Sequence, residues 1–230
     1  MGGNFEKLEG MSRAIVHMLR HGEVHNPDRL LYGRLPEFHL SELGRKMAKR
    51  AGDEFKKRSD AGSDIVYLVS SPLTRAQETA APTAELLGLE VVTDDRIIEA
   101  QNRFEGMAVT RAELRHTKHW RHLVNPMKPS WGEPYKDQVE RVMEAVEEAR
   151  ARAVELGGDG AEAVMVSHQL PIWVTRRAAE KRRLWHDPRR RTCALASITS
   201  LTFDDETIVD VDYSEPAADL LPGAANIPGA

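Results

Sequence analysis

The chain has a single cysteine, Cys193, in 230 residues. One thiol cannot close an internal disulfide, and that usage points to a reducing, cytoplasmic compartment. There is no apolar run near the roughly 20 residues that a bilayer crossing requires, so no membrane partner is expected. Residues 1–11 lack the apolar stretch of a secretory signal and are expected to form a flexible N-terminal tail. Charge of one sign is also scarce. The formal net value is -4, which gives no general field for nucleic acid or an anionic membrane. An anion could be held only by a local cluster of positive groups. What is present is ordinary for a soluble globular chain, 41% hydrophobic and 30% charged, enough for a real core.

The apolar pattern alternates between strands and helices. Short apolar runs at Ile15–Leu19, Asp64–Val69, Glu90–Thr93 and Ala163–Ser167 read as strands, and Ala196–Phe203 with Thr207–Tyr213 reads as a hairpin. Between them, Glu42–Arg58 spaces Leu43, Met47, Ala51 and Phe55 at helical intervals behind Ser41 as N-cap. Further helices are expected over Leu73–Leu87, stopped by Gly88, over Tyr135–Leu156, and beyond Pro171. This order predicts an α/β fold, a three-layer α/β/α sandwich around a mainly parallel sheet with a C-terminal hairpin strand. Residues 12–214 are expected to form a single domain. Residues 102–134 are read as lid and substrate loops, with a short helix over 110–123, and residues 215–230 as a flexible, disordered tail.

Ligands in such sheets bind at the carboxyl ends of the strands. Two strands end in Arg20-His21-Gly22 and Ser167-His168, and a third ends just before Arg75. A neutral imidazole is a nucleophile near pH 7, and attack on a phosphate dianion needs positive charge around the phosphoryl oxygens. His21 is therefore the candidate nucleophile, with Arg20, Arg75 and, if it is protonated, His168 as donors and Gly22 leaving room for the substrate. A leaving alcohol must be protonated, and Glu99 is the candidate acid. Taken singly, each residue has a plainer reading: a structural histidine, a solvated arginine, an exposed carboxylate. Their joint order carries the chemistry.

The blocks run Leu19-Arg20-His21-Gly22-Glu23, Leu40-Ser41-Glu42-Leu43-Gly44, Ser70-Ser71-Pro72-Leu73-Thr74-Arg75-Ala76-Gln77-Glu78-Thr79-Ala80, Ile98-Glu99, Phe104-Glu105-Gly106 and Val166-Ser167-His168. Over Ala14 to Tyr213 the sequence resembles the histidine phosphatase superfamily, the phosphoglycerate-mutase-like proteins. The resemblance implies that His21 is phosphorylated, that Arg20, Arg75 and His168 form its phosphate pocket, and that Glu99 is the acid. It also implies chemistry with no metal and no organic cofactor. The chain departs from the family pattern at Val24, where many members have Ser or Thr. Asn26 stands one position early for its phosphate contact, and Glu99 sits one residue short of the usual spacing to the Phe104-Glu105-Gly106 element. Gln169 replaces a common glycine; it either reaches the substrate or caps the next helix.

Three other features have more than one reading. The basic stretch from Arg176 to Arg191 either docks an anionic partner or is a solvated helix face and loop; with only Trp173 and Trp185 interleaved, nucleic acid is not expected. His116, His119 and His122 lack a fourth ligand for a metal. Tyr32, Phe38, His39, Trp120 and Trp131 either wall the substrate pocket or anchor its loops. The expected function is hydrolysis of a small phosphorylated metabolite through a phosphohistidine. A phosphoglycerate mutase is the competing reading, and a silent phospholigand-binding protein the third. The lean to phosphatase rests on the missing hydroxyl at Val24 and on Trp131-Gly132-Glu133-Pro134-Tyr135, which resembles the phosphatase branch.

Overall fold

The computed structural model describes residues 12–107 and 132–225. The helix expected over 110–123, the three histidines His116, His119 and His122, and both Trp120 and Trp131 lie outside the described residues.

The first strand, β1 (Arg13–Arg20), is followed by α1 (Glu42–Asp60), β2 (Asp64–Ser70), α2 (Thr74–Leu87) and β3 (Val91–Thr93). After the gap come α3 (Tyr135–Gly157), β4 (Ala161–Ser167), α4 (Gln169–Ala179), β5 (Ile198–Asp204) and β6 (Thr207–Ser214). The six strands form one sheet in the order β3-β2-β4-β1-β5-β6. The first four run parallel, and β5 joins β1 antiparallel before turning into β6. The fold is thus the mainly parallel α/β sheet expected, with its C-terminal hairpin on one edge.

Strand alternation sends successive side chains to opposite faces. Val16 and Met18 of β1 join Ala163 and Met165 of β4 in a core that includes Val142, Val146, Ala149 and Ile172 of α3 and α4. Leu19 joins Val164 and Val166 in the other core, with Ala51 and Phe55 of α1 and Ala76 and Ala80 of α2. His17 also points to this second face, where it meets Ser200 at 2.7 Å and Glu162 at 2.8 Å and so is satisfied within the sheet.

Ser41 caps α1 as expected, its hydroxyl accepting from the Gly44 N–H at 2.9 Å. Gly88 ends α2 in the left-handed region, where a Cβ would be strained. The helix expected beyond Pro171 begins two residues sooner, at Gln169, because Pro171 occupies its first turn, where no N–H is needed.

The C-terminal segment corrects an expectation. Residues 215–225 are not a disordered tail: a 3₁₀ turn at Ala218–Gly223 brings Leu220, Leu221 and Ala224 against Leu43, Met47, Leu195 and Ala196. The Ala225 N–H then donates to Glu23 Oε1 at 2.6 Å. Its Ala, Pro and Gly content suggested low order, but the few apolar residues find a ready face on α1.

Candidate active site

The carboxyl ends of β1, β2 and β4 lie side by side, with Arg20 in register with Ser167 and Ser70 with Val166. The chain leaving each strand is tied to its neighbour: His21 N–H donates to Ser167 O at 3.1 Å, and Ser71 N–H donates to Val166 O at 2.9 Å. These bonds bring the candidate side chains to one edge of the sheet. Arg20, His21, Arg75, Glu99 and His168 are all buried, none more than 6% exposed.

His21 Nδ1 lies 2.8 Å from the Gly22 carbonyl. A carbonyl can only accept, so Nδ1 carries the proton and the lone pair is on Nε2. That Nε2 is buried and has no hydrogen-bond partner. His168 bonds through its other ring nitrogen: Nε2 lies 2.7 Å from Ser71 Oγ, which accepts from Leu73 N–H. His168 Nδ1 and Arg75 Nε are likewise buried without partners. The His21 and His168 ring centroids are 5.2 Å apart. The His21 lone pair, His168 Nδ1 and Arg75 Nε are thus buried and unpartnered on three residues that act on one another through charge, and such groups can bind the oxygens and phosphorus of a tetrahedral anion.

Arg75 is held by Gly33 O at 2.6 Å and lies over the Tyr32 ring at 4.7 Å, an arrangement that fixes the guanidinium plane. Arg20 donates to Cys193 O at 2.7 Å. Burial, followed by the charges of Arg75 and Arg20, holds His21 well below the usual imidazole range. Burial also lowers His168, reinforced first by Arg75. His168 was expected to add a donor if protonated; burial and the neighbouring arginines favour its neutral form. Glu99 moves the other way: burial raises its carboxyl above the ordinary range, against the Ala100 N–H and the charges of Arg75, Arg191 and Arg20. A carboxyl that keeps its proton is what an acid catalyst needs.

Other expectations were redirected. Gly22 makes room for helix α1 and not for a substrate, since a Cβ there would lie 2.5 Å from Gly44 O. Both polar ends of the Asn26 amide are taken by the Leu30 backbone, so Asn26 holds its own loop. Gln169 does not cap α4; His168 occupies that position, while Gln169 reaches Cys193 O at 3.5 Å. Glu105 accepts from the Arg34 and Asn102 N–H groups and closes a loop. Glu133 takes a two-pronged ion pair from Arg141, at 2.7 and 2.8 Å, and a third contact from Arg34 at 3.0 Å. Tyr32 reaches the site and stacks against Phe38, whereas His39 is exposed and bound to Glu78. Among the described residues no three metal-ligating side chains cluster.

Arg191 was not singled out within the basic stretch, read as either docking an anion or forming a solvated face and loop; its guanidinium turns inward, with Nε donating to His186 Nε2 at 2.9 Å and a terminal nitrogen to Gln169 Oε1 at 3.4 Å.

The family model of the histidine phosphatase superfamily (branch 1) matches residues 16–215. An uncharacterized protein of Mycobacterium tuberculosis strain H37Rv is 52% identical over 205 residues, 88% of this chain and 96% of its own. Phosphoserine phosphatase 1 of Hydrogenobacter thermophilus is 34% identical over 160 residues, 67% of this chain and 71% of that protein. The native structure of a mycobacterial glucosyl-3-phosphoglycerate phosphatase superposes with a TM-score of 0.69 at 27% identity, over 88% of this chain and 98% of that one. The chain belongs to the histidine phosphatase superfamily.

Proposed function

We propose that this member of the histidine phosphatase superfamily hydrolyses small phosphomonoesters in the cytoplasm through a phosphohistidine at His21. The observation that carries the reading is the buried, unpartnered His21 Nε2, with His168 Nδ1 and Arg75 Nε also buried without partners and the two imidazole centroids 5.2 Å apart.

The substrate's phosphoryl group enters with its oxygens accepting from Arg75 Nε, His168 Nδ1 and the Arg20 guanidinium. His21 Nε2 attacks phosphorus, forming the N–P bond as the P–O bond to the leaving alcohol breaks. The Glu99 proton passes to the departing oxygen, so no free alkoxide forms. Water then attacks the phosphohistidine, its proton returns to Glu99, and phosphate leaves with the His21 lone pair restored. The positive field for both steps comes from protein side chains, so the scheme needs no metal or organic cofactor.

Steady phosphate release from p-nitrophenyl phosphate, lost in His21→Ala, tests this reading. Release that survives the substitution would overturn it. Exchange between phosphoglycerates that requires a bisphosphate primer, with negligible phosphate release, would assign the chain to the mutases. Binding without turnover would make it a phospholigand-binding protein.

A further inference from the structure

Three consecutive residues in the loop after β1 touch both halves of the proposed chemistry. The carbonyls of Gly33 and Leu35 accept from Arg75 at 2.6 and 3.5 Å, so their backbone holds a guanidinium of the proposed phosphate pocket. Between them, the Arg34 side chain turns to the acid. Its Nε donates to Glu99 O at 2.6 Å, and a terminal nitrogen donates to Glu133 Oε2 at 3.0 Å. Glu99 follows the 3₁₀ turn Asp95–Ile97, and its carboxyl accepts from the next N–H, that of Ala100, at 2.7 Å. A carboxyl tied to its own main chain goes where that chain goes. The strongest charges acting on it are those of Arg75, Arg191 and Arg20, so Arg34 bears on it through the carbonyl and not as a neighbouring cation.

The far end of this link is anchored. Burial works to raise the Glu133 carboxyl, but the Arg141 bonds and the charges of Arg141 and Arg34 outweigh it and keep the group below the ordinary carboxylate range. Arg141, on α3, also donates to Arg96 O, and the Glu133 N–H donates to Gln101 O at 3.1 Å. Those two bonds fix the acid segment on either side of Glu99, and Arg34 holds Glu99 itself. A planar guanidinium serves both acceptors at fixed angles; an ammonium would keep the charge for Glu133 without the fork.

We propose that Arg34 is a positioning residue for the acid: through the Glu99 carbonyl it sets the acid carboxyl at a fixed place relative to Arg75, and so to the phosphoryl group that Arg75 holds. This deepens the hydrolase reading and rests on it for the role of Glu99. The mechanical part, that Arg34 holds the backbone at Glu99, is tested without turnover.

Hydrogen exchange followed by mass spectrometry reads the holding contact. In Arg34→Met, peptides covering residues 97–105 should exchange faster, while those covering residues 74–87 stay as in the intact protein. Kinetics read the role. Arg34→Met should lose about tenfold in kcat on glycerol 2-phosphate, an alkyl ester, and less than about threefold on p-nitrophenyl phosphate. Arg34→Lys keeps a cation for Glu133, should Arg34→Met prove unstable, and should show the same split in smaller measure. Introduced into Glu99→Gln, Arg34→Met should change kcat by less than about twofold, because the acid it places is gone. Unchanged exchange over residues 97–105 would overturn the proposal. So would equal losses on the two esters, or an undiminished loss in the Glu99→Gln background. Equal losses in Glu99→Gln itself would strike the acid role and the proposal with it. No turnover of either ester by the intact protein would instead strike the hydrolase reading, and the exchange comparison would still decide whether Arg34 holds Glu99.

Discussion

The imidazoles of His21 and His168 stand 5.2 Å apart and bond through opposite ring nitrogens. Gly22 O takes the Nδ1 proton of His21 and leaves the Nε2 lone pair bare, while the Ser71 hydroxyl occupies Nε2 of His168 and leaves Nδ1 without a partner. Under the proposed mechanism the first serves as nucleophile and the second as a contact for the phosphoryl oxygens.

Removing the nucleophile should be nearly complete in effect. His21→Ala is expected to lower kcat by about four orders of magnitude or more, measured by phosphate release. Melting should change little, because Nε2 makes no hydrogen bond within the protein.

Glu99→Gln should show leaving-group dependence. An alkyl phosphate, whose alkoxide needs a proton, should lose about 10²- to 10⁴-fold in kcat. p-Nitrophenyl phosphate leaves as a stable phenolate and should lose far less. Equal losses on both substrates would remove the acid role.

The pH dependence of stability carries a definite sign. His186 has a folded pKa of about 4, below its ordinary 6.5. Between those values the unfolded chain binds more protons than the folded one, so stability rises with pH across that window. The stabilisation is fully present above pH 6.5 and is lost as pH falls toward about 4. Urea unfolding at stepped pH should show this slope, and His186→Phe should lessen it while the share from His21 and His168 remains.

The crossing of the His21 loop over α1 tolerates no side chain. A Cβ on Gly44 would lie 1.9 Å from Glu23 O. Gly44→Ala should therefore cost roughly 1–3 kcal/mol in urea unfolding and reduce activity as well, because Glu23 is two residues from His21.

Truncation after Glu215 should destabilise the chain, not merely trim it. It would expose Met47, Leu195 and Ala196 and remove the Ala225 bond to Glu23. Burial of Leu220 and Leu221 is worth on the order of 2 kcal/mol each at most, so a drop of a few kcal/mol is expected in chemical unfolding. An unchanged midpoint would mean the segment is passive.

Local signals were legible in the sequence. Apolar runs of strand length, the Ser41 cap and the Gly88 stop each depend on a few adjacent residues, and the structure has them where the pattern puts them. Arg20, His21 and His168 could be named because they stand at strand ends that such a sheet brings together, and the resemblance to the histidine phosphatase superfamily added Arg75 and Glu99 to the set. What stayed hidden depends on long-range partners. The steric need at Gly22 comes from Gly44, across a loop and a helix cap. The inward turn of Arg191 requires His186 to be buried, neutral and wedged between Tyr135 and Trp173, which no spacing along the chain encodes. The order of residues 215–225 arises only once α1 presents Leu43 and Met47 to them.

The central claim is most directly tested by quenching the enzyme during turnover of a phosphomonoester and mapping the acid-labile phosphoryl group by mass spectrometry. The account predicts a single phosphohistidine at His21, absent from His21→Ala. Label on any other residue, or full turnover with His21 unlabelled throughout, would contradict it.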